Sequence, residues 1–191
     1  MITITIFGNG NMGQAIAGVL ARSGASIQHI GSSDADVTIE GDLVVLAVPH
    51  PALAAIVASH GDQLAGRTVV DITNPLDFST FDSLVTPADG SAASELQKAL
   101  PTAKVLKAFN TNFAATLASG KVGSQTTTVL VAGDDADAKA QLVDAVKSAG
   151  LNAIDAGALS RARELEAIGF LQLTLAVGEK IGWTGGFALE A

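Results

Sequence analysis

Residues 1–24 read MITITIFGNGNMGQAIAGVLARSG, and the order of the parts in this stretch decides the fold. An apolar run, ITITIF, ends at Gly8. Gly8, Gly10 and Gly13 then stand in G-x-G-x-x-G spacing, and a segment of helical period follows. The spacing alone is a weak signal, but behind a strand and opening a helix it acquires physical meaning. Gly8 permits a tight turn, Gly10 lets a pyrophosphate approach the backbone, and Gly13 lets the helix pack on the strand. Free N–H groups at the helix start then face the phosphates. Asn9, Asn11 and Met12 complete the loop. The competing reading is a strand-to-helix turn without a ligand.

Working outward, short apolar runs keep alternating with segments of helical period. SIQHIG, LVVLAVP, TVVDITN, KVLKAFN, TTTVLVAGD and LNAIDAG read as strands. The segments between them, together with the closing SRARELEAIGFLQLTLAVGEKIG, read as helices. Continuous Val/Ile/Leu strands separated by helices predict a doubly wound α/β fold, a mostly parallel Rossmann sheet covered on both faces and closed by a C-terminal helix. The 191 residues suffice for one domain, able to bury roughly 70% of the unfolded surface. Within it, 1–120 is expected to form the dinucleotide-binding core, and 121–191 an α/β extension with a dimer helix. Between Gly31 and Leu43 stands only SSDADVTIEGD, barely the minimum for a crossover. This predicts a shortened edge on the adenosine side, leaving that half of a dinucleotide exposed. The longest irregular stretch, from Pro75 to Ser91, is expected to border the cleft.

Composition excludes several classes. A net charge of -8 with 11 Lys and Arg argues against nucleic acid and anionic membrane surfaces, which need a basic footprint. Any phosphate must therefore be held by backbone amides and hydroxyls. The chain has no cysteine, which removes disulfides, thiolate metal sites and dithiol redox chemistry. No His/Asp/Glu spacing resembles a metal site. No secretory signal is visible, and charge or polarity interrupts every apolar stretch before the ~18 residues of a membrane span, so a cytoplasmic protein is expected. A mean hydropathy of +0.40 is high for a small acidic chain and predicts a further apolar face buried in a homodimer.

Nucleotide preference is read beyond the second strand, where NAD enzymes place an acidic residue on the ribose. Gly31, Ser32 and Ser33 stand there instead. Two hydroxyls and a glycine turn donate to a 2′-phosphate that a carboxylate would repel, which favours NADP. Other ligand contacts in such sheets come from residues just after the strands. Val48 and Pro49 offer an apolar wall, while Asn74 and Asn110 offer hydrogen bonds to ribose or carboxamide. Each Asn also has a structural reading: Asn110 and Asn112 as helix N-caps, Asn74 as a turn former before Pro75. His50 is the only histidine at a strand end and the weak candidate for a catalytic acid, with a helix-cap role favoured. Lys107 lies inside a strand fit for burial and needs a partner. It stands three residues before Asn110, as Asp71 stands three before Asn74, so neighbouring parallel strands bring the two level as an ion pair beneath the site.

With GNGNMG, GSS, LAGRTVVDITNP, VLKAFNT, VLVAGDDADAKA and DAGALSRARELE in view, the chain resembles the NADP oxidoreductases that use the deazaflavin coenzyme F420. It is similar also to the cytosolic NADPH-binding domain of the six-transmembrane ferric reductases. The resemblance implies that Asn9 to Met12 hold the pyrophosphate and that Ser32 and Ser33 take the 2′-phosphate. Val48, Pro49, Asn74, Ala108 and Asn110 would surround the nicotinamide. It also implies hydride transfer between stacked rings, NADP(H) on one side and a deazaflavin or flavin on the other, without an obligatory acid or base. Ser33 stands where the family's Arg is usual. A non-catalytic NADP-binding redox sensor or partner subunit, and an imino-acid reductase of the pyrroline-carboxylate type, are the alternatives. The latter need a long helical dimer domain that this chain lacks. Trp183, in the C-terminal GWTGGFALEA, is placed to roof the cleft and stack on an acceptor ring, or to pack in a dimer interface.

Overall fold

In the computed structural model, which describes residues 2–34 and 37–190, the alternation becomes a layered sheet. The first half holds β1 (Thr3–Phe7), α1 (Asn11–Arg22), β2 (Ser26–Ile30), β3 (Leu43–Leu46), α2 (Leu53–Leu64) and β4 (Thr68–Asp71). There follow α3 (Ala92–Ala99), β5 (Lys104–Ala108), α4 (Ala114–Ser119), a small ribbon of β6 (Lys121–Val122) and β7 (Gln125–Thr126), β8 (Thr128–Gly133), α5 (Ala136–Ser148), β9 (Asn152–Gly157) and α6 (Ala162–Val177). Seven strands form one sheet in the order β2-β1-β3-β4-β5-β8-β9.

Pairing is parallel except between β5 and β8, which run antiparallel. The cause is local. Between them the chain forms only the six-residue α4 and the β6–β7 ribbon, and an antiparallel neighbour needs no crossover helix. Every other parallel neighbour in the sequence from β3 onward is reached through a helix.

Strand residues alternate between two cores. In β3, Leu43 and Val45 pack with Ile16, Leu20 and Leu142 on one face, while Val44 and Leu46 pack with Leu53, Leu64 and Leu96 on the other. Burying each such side chain contributes about 1.5–3 kcal/mol, so β3, buried at all four residues, anchors both layers. Local signals set the helix starts: Asp135 accepts from Ala138 N at 2.8 Å, and Ser91 with Ser94 forms a reciprocal cap on α3.

On the shortened edge β2 pairs with β1 alone, and the described residues between Gly31 and Leu43 contain neither helix nor strand. Ala35 and Asp36 of this interval lie outside the described residues. The returning segment is tied down instead by Arg67, whose guanidinium donates to the carbonyls of Gly41 at 2.5 Å and Ile39 at 3.2 Å. Among the described residues no helix is long and apolar enough to cross a membrane.

Candidate functional site

The carboxyl ends of β1, β3, β4 and β5 open on two adjoining cavities that share Gly10, Ala47, Val48 and Pro49. The one toward the sheet edge, about 650 Å³, is bounded by Gly8, Asn9, Ile30, the turn from Gly31 to Asp34, and one face of α2. The other, about 420 Å³, runs over Met12 to Ile72, Thr73 and Asn74, and on to Phe109, Asn110, Asn112 and Phe113. The start of α1 lies between them.

Backbone geometry explains the three glycines separately. Gly8 has φ +102°, and a Cβ there would lie 2.2 Å from the Ala47 carbonyl oxygen. A Cβ on Gly13 would lie 2.4 Å from the Gly8 carbonyl oxygen. Both positions exclude side chains because backbone is in the way. At Gly10 nothing lies within 4 Å, so its bareness serves the open cleft rather than the packing. Gly10 is also the N-cap of α1, with no side-chain cap and no acidic residue in the first turn. The first N–H groups of a twelve-residue helix thus face the cleft without side-chain partners, the arrangement that attracts phosphate.

At the turn after β2, Asp34 draws on the groups expected for a phosphate. Gly31 N donates to its carboxylate at 2.8 Å, and Ser33 Oγ donates at 3.1 Å. Ser32 lines the same cavity, and no Lys or Arg lines it among the described residues.

At the other end the asparagines form a ladder. Asn74 Nδ2 donates to the Asn110 carbonyl at 2.8 Å, and Asn110 Nδ2 donates to Asn74 Oδ1 at 2.9 Å and to the Leu165 carbonyl at 2.8 Å. Asn112 Nδ2 donates to the Thr128 carbonyl at 3.0 Å. The expected N-cap roles of Asn110 and Asn112 are therefore corrected: α4 is capped by extended Phe113, without a side-chain bond, and the Nδ2 donations hold both side chains on tertiary contacts away from the helix N–H groups. Ala108 is likewise corrected. It is fully buried in the core and lines neither cavity. Phe109 beside it adopts φ +64° and turns the chain into the cleft, a conformation rare for a bulky residue and typical of functional sites. His50 opens a short 3₁₀ turn after Pro49, makes no side-chain cap, and lines the smaller cavity half-buried, so its expected cap role is corrected too.

Three buried oxygens at this end have no partner among the described residues: Thr73 Oγ1, Asn110 Oδ1 and Asn112 Oδ1. All belong to residues lining the smaller cavity. Unpaired buried polar atoms cost stability, and three together mark a place for a polar ligand.

Beneath Thr73 lies a closed charge cluster. Asp71 and Lys107 are paired in register across β4 and β5, with Lys107 Nζ 2.9 Å from Asp71 Oδ2. The same ammonium reaches Glu166 Oε1 at 2.8 Å and also donates to the Thr73 carbonyl. Burial pushes the Glu166 carboxyl above the ordinary glutamate value, against the pull of Lys107 and of the Ala92 N–H bonded to it at 3.0 Å. Glu166 was missed by the sequence reading, although one signal for it exists. The buried stripe of α6 runs Ala162, Leu165, Glu166, Gly169, Gln172 and Ala176, and a carboxylate inside such a stripe demands a partner. Gly169 in that stripe admits Asn74, whose Oδ1 would lie 2.2 Å from a Cβ. Trp183 sits beyond, half exposed, with its ring 5.0 Å from that of Phe113.

No model of a protein family matches the chain. The F420-dependent NADP reductase of Methanocaldococcus jannaschii is 32% identical over 171 residues, which cover 87% of this chain and 76% of that one. Metalloreductase STEAP3 of Rattus norvegicus is 30% identical over 86% of this chain, which spans only 36% of that protein. A crystal structure from Arthrobacter sp. FB24, described as a candidate F420-dependent NADP reductase, superposes with a TM-score of 0.85 at 28% identity, covering 98% of this chain and 99% of that one. With the glycine loop, the double cavity and this similarity along nearly its whole length, the chain belongs to the family of F420-dependent NADP reductases.

Proposed function

We propose that this protein transfers hydride between NADP(H) and a flavin-like ring, and that a deazaflavin of the F420 class is its acceptor. The observation that carries the reading is the double cavity meeting over the uncapped start of α1 and ending on three unpartnered buried oxygens. The backbone N–H groups of Asn11 and Met12 would hold the pyrophosphate. Ser32 would donate to the 2′-phosphate. Two of the three oxygens Thr73 Oγ1, Asn110 Oδ1 and Asn112 Oδ1 would receive the two carboxamide N–H groups and so orient the nicotinamide. Val48, Pro49, Phe109 and Phe113 would keep water from the reacting faces.

NADPH bound there supplies a hydride and leaves as NADP+, while the oxidised acceptor takes up the hydride and one solvent proton. No side-chain acid or base is needed for that exchange, and His50 is the one histidine that lines the smaller cavity among the described residues. The acceptor would stack on the open side of the smaller cavity, next to Trp183 and Phe78, both more than half exposed. Ile168 and Leu171, one turn apart, leave an exposed apolar patch on α6, and the reading includes a homodimer formed through it.

The test is a side-by-side titration of NADPH and NADH, followed by a screen of F420, FMN, FAD, quinones and ferric chelates with oxidation read at the nicotinamide absorbance. Turnover with F420 supports the reading. Tight NADPH binding without turnover on any acceptor would replace it with a redox sensor.

A further inference from the structure

His60 is fully packed and yet incomplete. It lies in the second half of α2, 5% exposed, with its ring edge-on to Phe7 at 5.1 Å. It lines the larger cavity, beside Ala52, Ala55, Ile56 and Ser59 of the same helix face. Its Nε2 has no partner among the described residues, the one such buried atom in the lining of that cavity. A buried imidazole nitrogen left unpaired inside a ligand cavity points to a ligand that pairs it.

Ser59 decides what kind of ligand atom fits. Its single hydroxyl hydrogen is donated back along the helix, to the Ala55 carbonyl at 2.9 Å with that of Ile56 at 3.4 Å. The Ser59 oxygen is then the acceptor for His60 Nδ1, 2.7 Å away. This network assigns the ring proton to Nδ1 and leaves Nε2 as the acceptor. The partner must be a donor. Phe7, Ile30 and Ile56 make the neighbouring walls apolar and suit a flat base. Of the groups on a purine dinucleotide, the 6-amino of adenine is the donor that projects from the far edge of the base.

We infer that His60 Nε2 accepts a hydrogen bond from the 6-amino group of the cofactor's adenine, and that Ser59, as a positioning residue, holds the tautomer that makes this possible. The inference rests on the dinucleotide reading above. A 6-oxo purine would set its own lone pairs against Nε2, and reversing the tautomer would cost Ser59 its bond to Ala55.

The experiment is a fluorescence titration of NADPH and of reduced nicotinamide hypoxanthine dinucleotide phosphate against the wild type, His60→Phe and Ser59→Ala. The wild type should bind the hypoxanthine form about tenfold or more weakly, the worth of leaving a buried acceptor unpaired. His60→Phe keeps a ring against Phe7 and should remove most of that ratio by weakening NADPH alone. Ser59→Ala, at an exposed position, should narrow the ratio with the melting temperature unchanged, and it decides the matter if His60→Phe does not fold. A ratio near one in the wild type would overturn the inference. So would an unchanged ratio in both variants, or an equal loss for both dinucleotides in His60→Phe, which would assign His60 to packing. A wild type that binds neither dinucleotide would remove the dinucleotide reading itself.

Discussion

Lys107 Nζ lies 2.8 Å from Glu166 Oε1, and both side chains are sealed from solvent, so a strand in the middle of the sheet and the last helix are joined by a buried charge. The Lys107 ammonium is fully used, on Asp71, Glu166 and the Thr73 carbonyl. Removing it strands two carboxylates in the interior. Lys107→Met should destabilise the protein by about 3–5 kcal/mol, the cost of breaking a buried pair. Urea denaturation checks this, and adding Glu166→Gln to the variant should recover part of the loss. An unchanged midpoint for Lys107→Met alone would mean that the cluster contributes little.

Glu166 also gives stability a pH dependence. Burial raises its carboxyl above the ordinary value of 4.5, so the folded state holds a proton that the unfolded chain releases. Between the ordinary and the raised value the folded state binds more protons, and the Glu166 contribution to stability falls as pH rises through that window. Wild type minus Glu166→Gln should therefore show a stability difference that shifts in favour of the variant from about pH 4.5 upward. The comparison cancels the exposed aspartates, such as Asp77 and Asp135, whose lowered values act in the opposite sense.

The glycine loop separates binding from packing. Gly13→Ala presses a Cβ against the Gly8 carbonyl and should cost about 1–3 kcal/mol of stability, as overpacking does. Gly10→Ala meets no atom within 4 Å and has an ordinary φ of -73°. Its melting temperature should match the wild type while NADPH affinity falls about tenfold or more, since the added methyl occupies the phosphate approach. Calorimetry on both variants gives the comparison. Equal NADPH affinity in Gly10→Ala and wild type would remove the loop from the binding site.

Position 33 should tune the choice of nucleotide. The Ser33 hydroxyl donates to Asp34, and no cation lines this cavity among the described residues. Ser33→Arg should raise the preference for NADPH over NADH by about tenfold, through bidentate contact with a 2′-phosphate. The gain should shrink at high salt. Dissociation constants for both nucleotides at two ionic strengths provide the check.

Much of this site is readable from the chain because its signals are local. The strand–glycine–helix order needs only residues 1–24, and the equal offsets of Asp71 and Lys107 from Asn74 and Asn110 give their register without a structure. What escaped depends on contacts between distant segments or on backbone angles. Glu166 meets Lys107 only after α6 has folded onto the sheet. Asn112 looks like a helix cap until β8 offers the Thr128 carbonyl, which a local propensity cannot foresee. Ala108, expected beside the nicotinamide, is buried while Phe109 lines the cavity, because the left-handed angle at Phe109 is invisible in the residue type.

The ladder from Asn74 to Asn110 to the Leu165 carbonyl has a consequence in time. A ribosome makes the phosphate loop of Gly8 to Gly13 some 150 residues before it makes Leu165 and the notch at Gly169. A nascent chain can thus own a finished phosphate grip long before it owns a finished nicotinamide seat. During synthesis, a seated nicotinamide, and not capture of the phosphates, would report that the last helix has arrived.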